Sequence, residues 1–349
     1  MIGVASHIDV DAPIDEALAR LRTRALGPGF DALAAAVSRA ARGGKRMRPR
    51  LVAASFEAFG GDAASTPALA PVAAAFELLH AAFVVHDDVI DHDIERRGVP
   101  NVAGEFRARA LDSGADATGA ALLGDTAGIL AGDILLHEAS RLVALAGLPP
   151  PTLARIYDLL DDAVHVSAAG ELADVENSVT GGQVPSSTLL DTAHDKTAVY
   201  SFRAPLGVGA ILAGAPDDAR QLLQRIGGRL GLAYQLVDDL IGAFGDETQA
   251  GRAIGGDLRE AKQTPLVALA RDTAQWTRVS DALALAHTGP IAVRDAQLAL
   301  EASGARDSLR ELIADTLAGV RFSAGDAVLP PRVGTLLREL ADRVEERVP

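Results

Sequence analysis

Residues Leu69–Asp91 read LAPVAAAFELLHAAFVVHDDVID, and the reading of this stretch decides the fold. From Leu69 to Val89 it is apolar nearly all round, the pattern of a helix enclosed in the middle of a bundle. Pro71, Glu77 and His80 interrupt its most hydrophobic part, Ala68 to Val85, so a buried helix is expected there in preference to a membrane span. A second segment of the same kind, Arg225–Ile241, lies further along the chain. Each ends in paired aspartates, Asp87-Asp88 and Asp238-Asp239.

Outward from these two segments the chain is rich in Ala, Leu, Arg and Glu, all good helix formers. Apolar residues fall at helical spacing, as at Leu159, Leu160 and Val164, and strand-like alternation is scarce. The expected fold is all-α. Glycine and proline place loops between the helices, the longest at Gly98–Gly119. A length of 349 residues by itself suggests two domains. No repeat of fixed period and no Pro- or Ser-rich linker is visible, so one helical domain over 1–349 is expected.

Composition narrows the chemistry. With 48% hydrophobic but 4% aromatic residues, the core must be built from Ala, Leu, Val and Ile. The formal charge of −14 disfavours a nucleic-acid partner, whose protein footprint is basic. The absence of cysteine excludes disulfides, thiolate metal sites and cysteine nucleophiles, leaving oxygen and imidazole donors for a hard cation such as magnesium. Met1 to Asp15 has neither a basic start nor a long apolar run, so no targeting segment is expected and the protein is placed in the cytoplasm.

The first acidic cluster is His86-Asp87-Asp88-Val89-Ile90-Asp91. On a helix Asp87 and Asp91 share a face one turn apart, where like charges repel. A divalent cation removes that repulsion, and magnesium suits it because it takes one or two carboxylates and completes its shell with water and phosphate oxygens. An isolated cluster of this kind would more often be a solvated helix end. The second apolar helix ending in Asp238-Asp239 tips the reading toward function, with both sets of carboxylates expected around one central cavity.

An acidic site holds an anionic substrate only with cations nearby. Gly43-Gly44-Lys45-Arg46-Met47-Arg48-Pro49-Arg50 supplies four basic residues after a glycine turn, and Arg96-Arg97-Gly98 follows the first acidic cluster. Arginine forks match phosphate oxygens. Lys196, within Asp195-Lys196-Thr197, and Lys262, before Pro265, add two more cations. His80 lies two helical turns before Asp87, roughly on its face.

Together, GGKRMRP at Gly43–Pro49, ELLH at Glu77–His80, HDDVID at His86–Asp91, RRGVPN at Arg96–Asn101, LAGD at Leu130–Asp133, KTA at Lys196–Ala198 and YQLVDD at Tyr234–Asp239 resemble, in order, the trans-isoprenyl diphosphate synthases, the polyprenyl synthase family. The resemblance spans residues 43–265. It implies the isoprenoid synthase fold, one large helical bundle, commonly a homodimer, with no membrane span. It implies that Asp87, Asp88, Asp91 and Asp238 hold three magnesium ions on an allylic diphosphate (dimethylallyl, geranyl or farnesyl). Arg96, Lys196 and Lys262 would contact that diphosphate, with Thr197, Gln235 and Asp239 nearby. Lys45, Arg48, His80 and Arg97 would bind isopentenyl diphosphate.

The chain departs from the family pattern at two places. After Asp238-Asp239 the third carboxylate is missing, because Gly242 stands there. Asp246 follows four residues later and Asp257 further on, within Phe244–Lys262, which reads as a lid; for both, ordinary turn residues are the preferred reading over a part in that lid, and a replacement of the missing carboxylate stays open. Glu171 stands where relatives often carry Gln. Chain length is expected to be set before Asp87: Ala82 is small, and Phe83, one turn back on the Asp87 face, forms the floor of a site making the C20 product geranylgeranyl diphosphate. A farnesyl or longer product and a class I terpene cyclase are the alternatives; the Gly43–Pro49 group and Arg97 speak against a cyclase, which holds no second diphosphate.

Overall fold

The computed structural model describes residues 8–24, 26–179, 184–245, 255–259 and 262–349. It is helical almost throughout, as expected, and divides into two compact units. The first comprises residues 8–158 with Val208–Ala213, the second Leu159–Gly207 with Gly214–Pro349.

The first unit contains α1 (Asp11–Arg22), α2 (Pro28–Ala41), α3 (Met47–Ala58), α4 (Leu69–Ile90), α5 (Val102–Asp112), α6 (Ala117–Ala144) and the start of α7 (Pro150–Val179). The 22-residue α4 is its centre. Val72 through Leu79 are buried without a break, so the helix has no wet side over two turns. That is what its unbroken apolar sequence requires. Both α4 and α6 are long and apolar enough to cross a membrane, but 67% of the most apolar window of α4 is buried by packing, the condition of a core helix.

Helix α6 lies along α4, and its glycines set how closely. Gly124, Gly128 and Gly132 recur every four residues and so line one face. A Cβ at Gly128 would come within 2.3 Å of Val89 Cγ2, and one at Gly132 within 2.1 Å of His86 Nε2. Only hydrogen at these positions admits the end of α4 that carries the aspartates.

Two features correct the expectation of a continuous loop over Gly98–Gly119. Helix α5 occupies its middle, started by Asn101, whose side chain accepts from the Gly104 N–H at 2.9 Å. Asp116 likewise caps α6 by accepting from the Gly119 N–H at 2.8 Å. Before α5 stands a small hairpin of β1 (Glu95–Arg96) and β2 (Val99–Pro100). Arg97 (φ 55°) and Gly98 (φ 74°) form its turn, both in the left-handed region that tight two-residue hairpin turns demand.

The second unit continues α7 and adds α8 (Ser186–Ala193), a π-helical stretch (His194–Arg203), α9 (Ala204–Leu212, whose last turn belongs to the first unit) and α10 (Asp217–Phe244). After these come a single turn α11 (Gly256–Arg259), then α12 (Pro265–Arg271), α13 (Trp276–Leu285), α14 (Pro290–Ala302), α15 (Ala305–Ser323) and α16 (Pro331–Glu345). The expected Arg225–Ile241 segment is the greater part of α10, which starts two turns earlier behind Pro216. Helix α10 packs against the π-helical stretch and α15.

Candidate active site

Helix α4 stops at Ile90, and His92 (φ 59°) turns the chain outward into the hairpin. Asp87 is half-buried and Asp91 exposed, on one face and one turn apart as the spacing predicts. Asp88 points elsewhere and is buried. Arg96 comes back from the hairpin to hold it, with Nε donating to Asp88 Oδ1 at 2.8 Å and Nη2 at 2.5 Å, and Nη2 lies 3.5 Å from Asp87 Oδ2. Burial pushes the Asp88 carboxyl up from its ordinary value, and the Arg96 guanidinium opposes that shift. Arg96 is thus the counter-ion of both aspartates.

The basic group before α3 separates into different roles. Gly43 (φ 91°), Gly44 (φ 84°) and Arg46 (φ 49°) make the turn. Arg46 is a strap: its Nη1 donates to Glu77 Oε1 at 3.1 Å and to the Ala41 carbonyl at 3.1 Å, and its Nη2 lies 2.8 Å from Asp11 Oδ1. With Arg46 so engaged, Lys45 is left exposed and Arg48 lies buried at the start of α3. His80, on α4, lies in the electrostatic reach of Arg48, Arg96 and the exposed Arg97. Burial first, and then these three cations, hold the imidazole well below its usual pKa, so His80 is neutral and can meet an anion only as an N–H donor.

Further down α4, Ala82 is fully buried in helix packing, while Phe83 is only partly covered. Phe83 precedes Asp87 by four residues and shares its face. The two residues expected to govern chain length thus differ in situation: one packs into the unit, the other lies along the face beneath the aspartates.

In the second unit, the π-helical stretch presents Lys196 and Thr197. A π-helical turn makes room for one extra residue and redirects side chains, a device frequent at functional sites. Glycines again permit the approach. A Cβ at Gly170 of α7 would lie 2.3 Å from Lys196 N, and one at Gly231 of α10 would lie 2.5 Å from Ala198 Cα. The Lys196 ammonium donates to Glu171 Oε1 at 3.0 Å and Asp174 Oδ2 at 2.9 Å. Glu171, where relatives often carry Gln, therefore adds a second negative charge to the lysine.

Thr197 Oγ1 donates to Gln235 Oε1 at 2.8 Å, and Gln235 Nε2 donates to Asp239 Oδ1 at 2.9 Å. Asp239 is buried, whereas Asp238 is partly exposed. Burial and the neighbouring Asp257 push the Asp239 carboxyl up to about 8, against the opposing hydrogen bond from Gln235. Asp238 forms an ion pair with Arg347, which follows α16 and stacks its guanidinium over the Tyr234 ring, 4.1 Å from the centroid. Lys262 lies beyond α11, its N–H donating to the Asp257 carbonyl at 3.0 Å. Asp257, read as a turn residue, is buried instead; Asp246 lies outside the described residues.

Among the described residues no three His, Asp or Glu side chains form a preformed metal cage. The donors fit a cation that needs no such cage. Asp87 and Asp91 offer only hard carboxylate oxygens, from one open helix end, and Asp238 offers another. Magnesium takes one or two carboxylates and completes its octahedron with water and substrate phosphates.

Sequence reasoning missed Arg46 as a strap, Glu171 as a partner of Lys196, and Arg347 as the partner of Asp238. Only Glu171 left a signal, as a departure from the family pattern; the others depend on contacts between distant segments.

The family model described as Polyprenyl synthetase matches residues 31–297. The chain is 34% identical over 227 residues to the geranylgeranyl diphosphate synthase of Sulfolobus acidocaldarius, covering 64% of this chain and 62% of that protein. It is 35% identical over 221 residues to the (2E,6E)-farnesyl diphosphate synthase of Mycobacterium tuberculosis, covering 63% and 55%. The structure resembles that of geranylgeranyl pyrophosphate synthase from Corynebacterium glutamicum complexed with isoprenyl diphosphate and magnesium, with a TM-score of 0.89, 29% identity and 97% of each chain covered. By the extent of the family match and the order of its motifs, the chain belongs to the polyprenyl synthetase family.

Proposed function

We propose that the protein is a prenyltransferase that joins isopentenyl diphosphate head to tail to an allylic diphosphate and makes geranylgeranyl diphosphate. One observation carries this reading: besides Arg96, which pairs with the aspartates, Arg48 and Arg97 lie within electrostatic reach of His80, in the same unit as Asp87 and Asp91. An acidic motif that takes one diphosphate through metal thus has beside it a separate cationic group fit for another. A terpene cyclase needs only the first of these. A regulatory subunit without catalysis would not keep Asp87, Asp88 and Asp91 complete.

Magnesium, three ions per site in this proposal, would neutralise the departing diphosphate when bound. In the first unit Asp87, Asp88 and Asp91 would hold it, and in the second Asp238 would. Lys196 and Arg96, drawn from their carboxylate partners, stabilise with Lys262 the charge that develops as the allylic C–O bond breaks. Lys45, Arg48, Arg97 and neutral His80 hold isopentenyl diphosphate so that its double bond forms the new C–C bond with the allylic cation. The proton then lost goes to the released diphosphate. The apolar face of α4 beneath Asp87, with Phe83 on it, shields the cation from water. No protein nucleophile is required.

Relatives named for farnesyl and for geranylgeranyl products both match, so the C20 product rests on Phe83 as the floor. The deciding experiment incubates the purified protein with magnesium, isopentenyl diphosphate and each of the C5, C10 and C15 allylic diphosphates, then weighs the products. Elongation ending at C20 is expected. No elongation with any primer refutes the proposal, and hydrocarbon formed without isopentenyl diphosphate points to a cyclase.

A further inference from the structure

Gly242 follows Asp238 by one helical turn, on the same face of α10. A side chain there would point where Asp238 points. That space is already taken. A Cβ built on Gly242 would lie 2.1 Å from Asp257 Oδ2 and 2.9 Å from its Cγ, far inside van der Waals contact. Asp257 reaches the spot from the single turn α11 and is 7% exposed. The carboxylate missing from position 242 in the sequence is therefore present in space, supplied by a residue fifteen positions later, and the glycine is what lets it in.

The surroundings hold this arrangement in place. Gln297, buried on α14, donates to the Ala243 carbonyl at 2.7 Å and braces α10 next to Gly242. The Lys262 N–H donates to the Asp257 carbonyl, tying the turn that bears the carboxylate to the lysine assigned to the substrate. Asp257 also lies close enough to Asp239 for the two carboxylates to repel.

We propose that Asp257 completes the second aspartate motif of this protein, taking over the work of the third aspartate, and that Gly242 is glycine in order to admit it. This rests on the reading of Asp238 as a magnesium-holding residue. Magnesium keeps several waters when bound by few carboxylates, and Asp257 orients that shell beside Asp238. Outer-shell partners of this kind contribute about 10- to 100-fold to metal affinity.

The test is a manganese(II) titration followed by electron paramagnetic resonance, in the presence of inorganic pyrophosphate, on the full-length protein and three variants. Asp257→Asn keeps the shape and removes the charge; Gly242→Asp forces a side chain into the occupied space; Gly242→Asp/Asp257→Gly moves the carboxylate to position 242. The two single variants are expected to bind manganese about 10- to 100-fold more weakly, and the double variant to recover most of the loss. A purely packing role for Asp257 would leave Asp257→Asn unchanged and the double variant no better than either single one. Manganese affinity of Asp257→Asn equal to wild type overturns the proposal, and this variant decides alone if Gly242→Asp does not fold. The elongation assay on the wild type stands apart: its failure would refute the prenyltransferase reading, while the titration still reports on Asp257.

Discussion

Phe83 and His80 show how much a single side chain can decide on one helix. Phe83 is partly covered and shares the Asp87 face, so removing its ring should deepen the space beneath the aspartates. Phe83→Ala is expected to shift products beyond C20, read by mass spectrometry of the dephosphorylated alcohols; an unchanged distribution removes Phe83 as the floor. His80 is held neutral, with a folded pKa lowered well below 6.5. The folded state therefore resists the proton that the unfolded chain accepts, and stability present above pH 6.5 is lost as pH falls below that value toward the folded pKa. A His80→Gln variant should flatten the melting temperature over the interval from about pH 7 to about pH 5, whereas a parallel decline in both proteins would contradict the assignment. At this scale the sequence was readable where spacing alone sets geometry, as for Asp87 and Asp91. It was not readable where backbone conformation intervenes: Arg46 stands in line with Lys45, Arg48 and Arg50, yet its left-handed φ of 49° turns it into Glu77.

Helices meet here through specific close approaches, and two of them can be perturbed. The Arg46–Glu77 pair ties the start of α3 to α4, with side chains 13% and 7% exposed. Arg46→Met strands a buried carboxylate and should destabilise the fold by roughly 3–5 kcal/mol, while Arg46→Met with Glu77→Leu should recover most of it; urea denaturation measures both. Gly170→Ala would press a methyl against the Lys196 backbone and should cost about 1–3 kcal/mol in the same assay. Gly29, in the first turn of α2, has nothing within 4 Å of a built Cβ, so Gly29→Ala should be neutral or stabilising by up to about 1 kcal/mol. The existence and type of α4 and α10 were legible because their apolar patterns are long. The π-helical stretch and α5 were not, since the first depends on glycines of α7 and α10, and the second starts from one Asn cap within a glycine-rich stretch.

For the molecule as a whole, a charge of −14 says little about local chemistry: Arg48, Arg96 and Arg97 lie within electrostatic reach of His80, and Lys196 is held by Glu171 and Asp174. The low aromatic content was a fair guide to an Ala- and Leu-built interior. The family resemblance implies a homodimer, and the surface we propose for it is the set of apolar side chains that α6 leaves open, Leu122 at 69%, Ile129 at 49% and Leu130 at 47% exposure. Light scattering should return twice the 36.0 kDa chain mass for the wild type and a lighter species for Leu130→Asp; an identical mass for both would remove α6 from the interface. No linker in the sequence marks the two compact units; only the length of the chain suggested a division. The segment after α16 reaches back to the second acidic pair. Arg347 is bonded to Asp238, and the Pro349 oxygen accepts from Arg306 and Arg310. Under the proposed role of Asp238, magnesium must compete with Arg347 for that carboxylate, so binding the metal should loosen the segment after α16 and expose it to proteolysis.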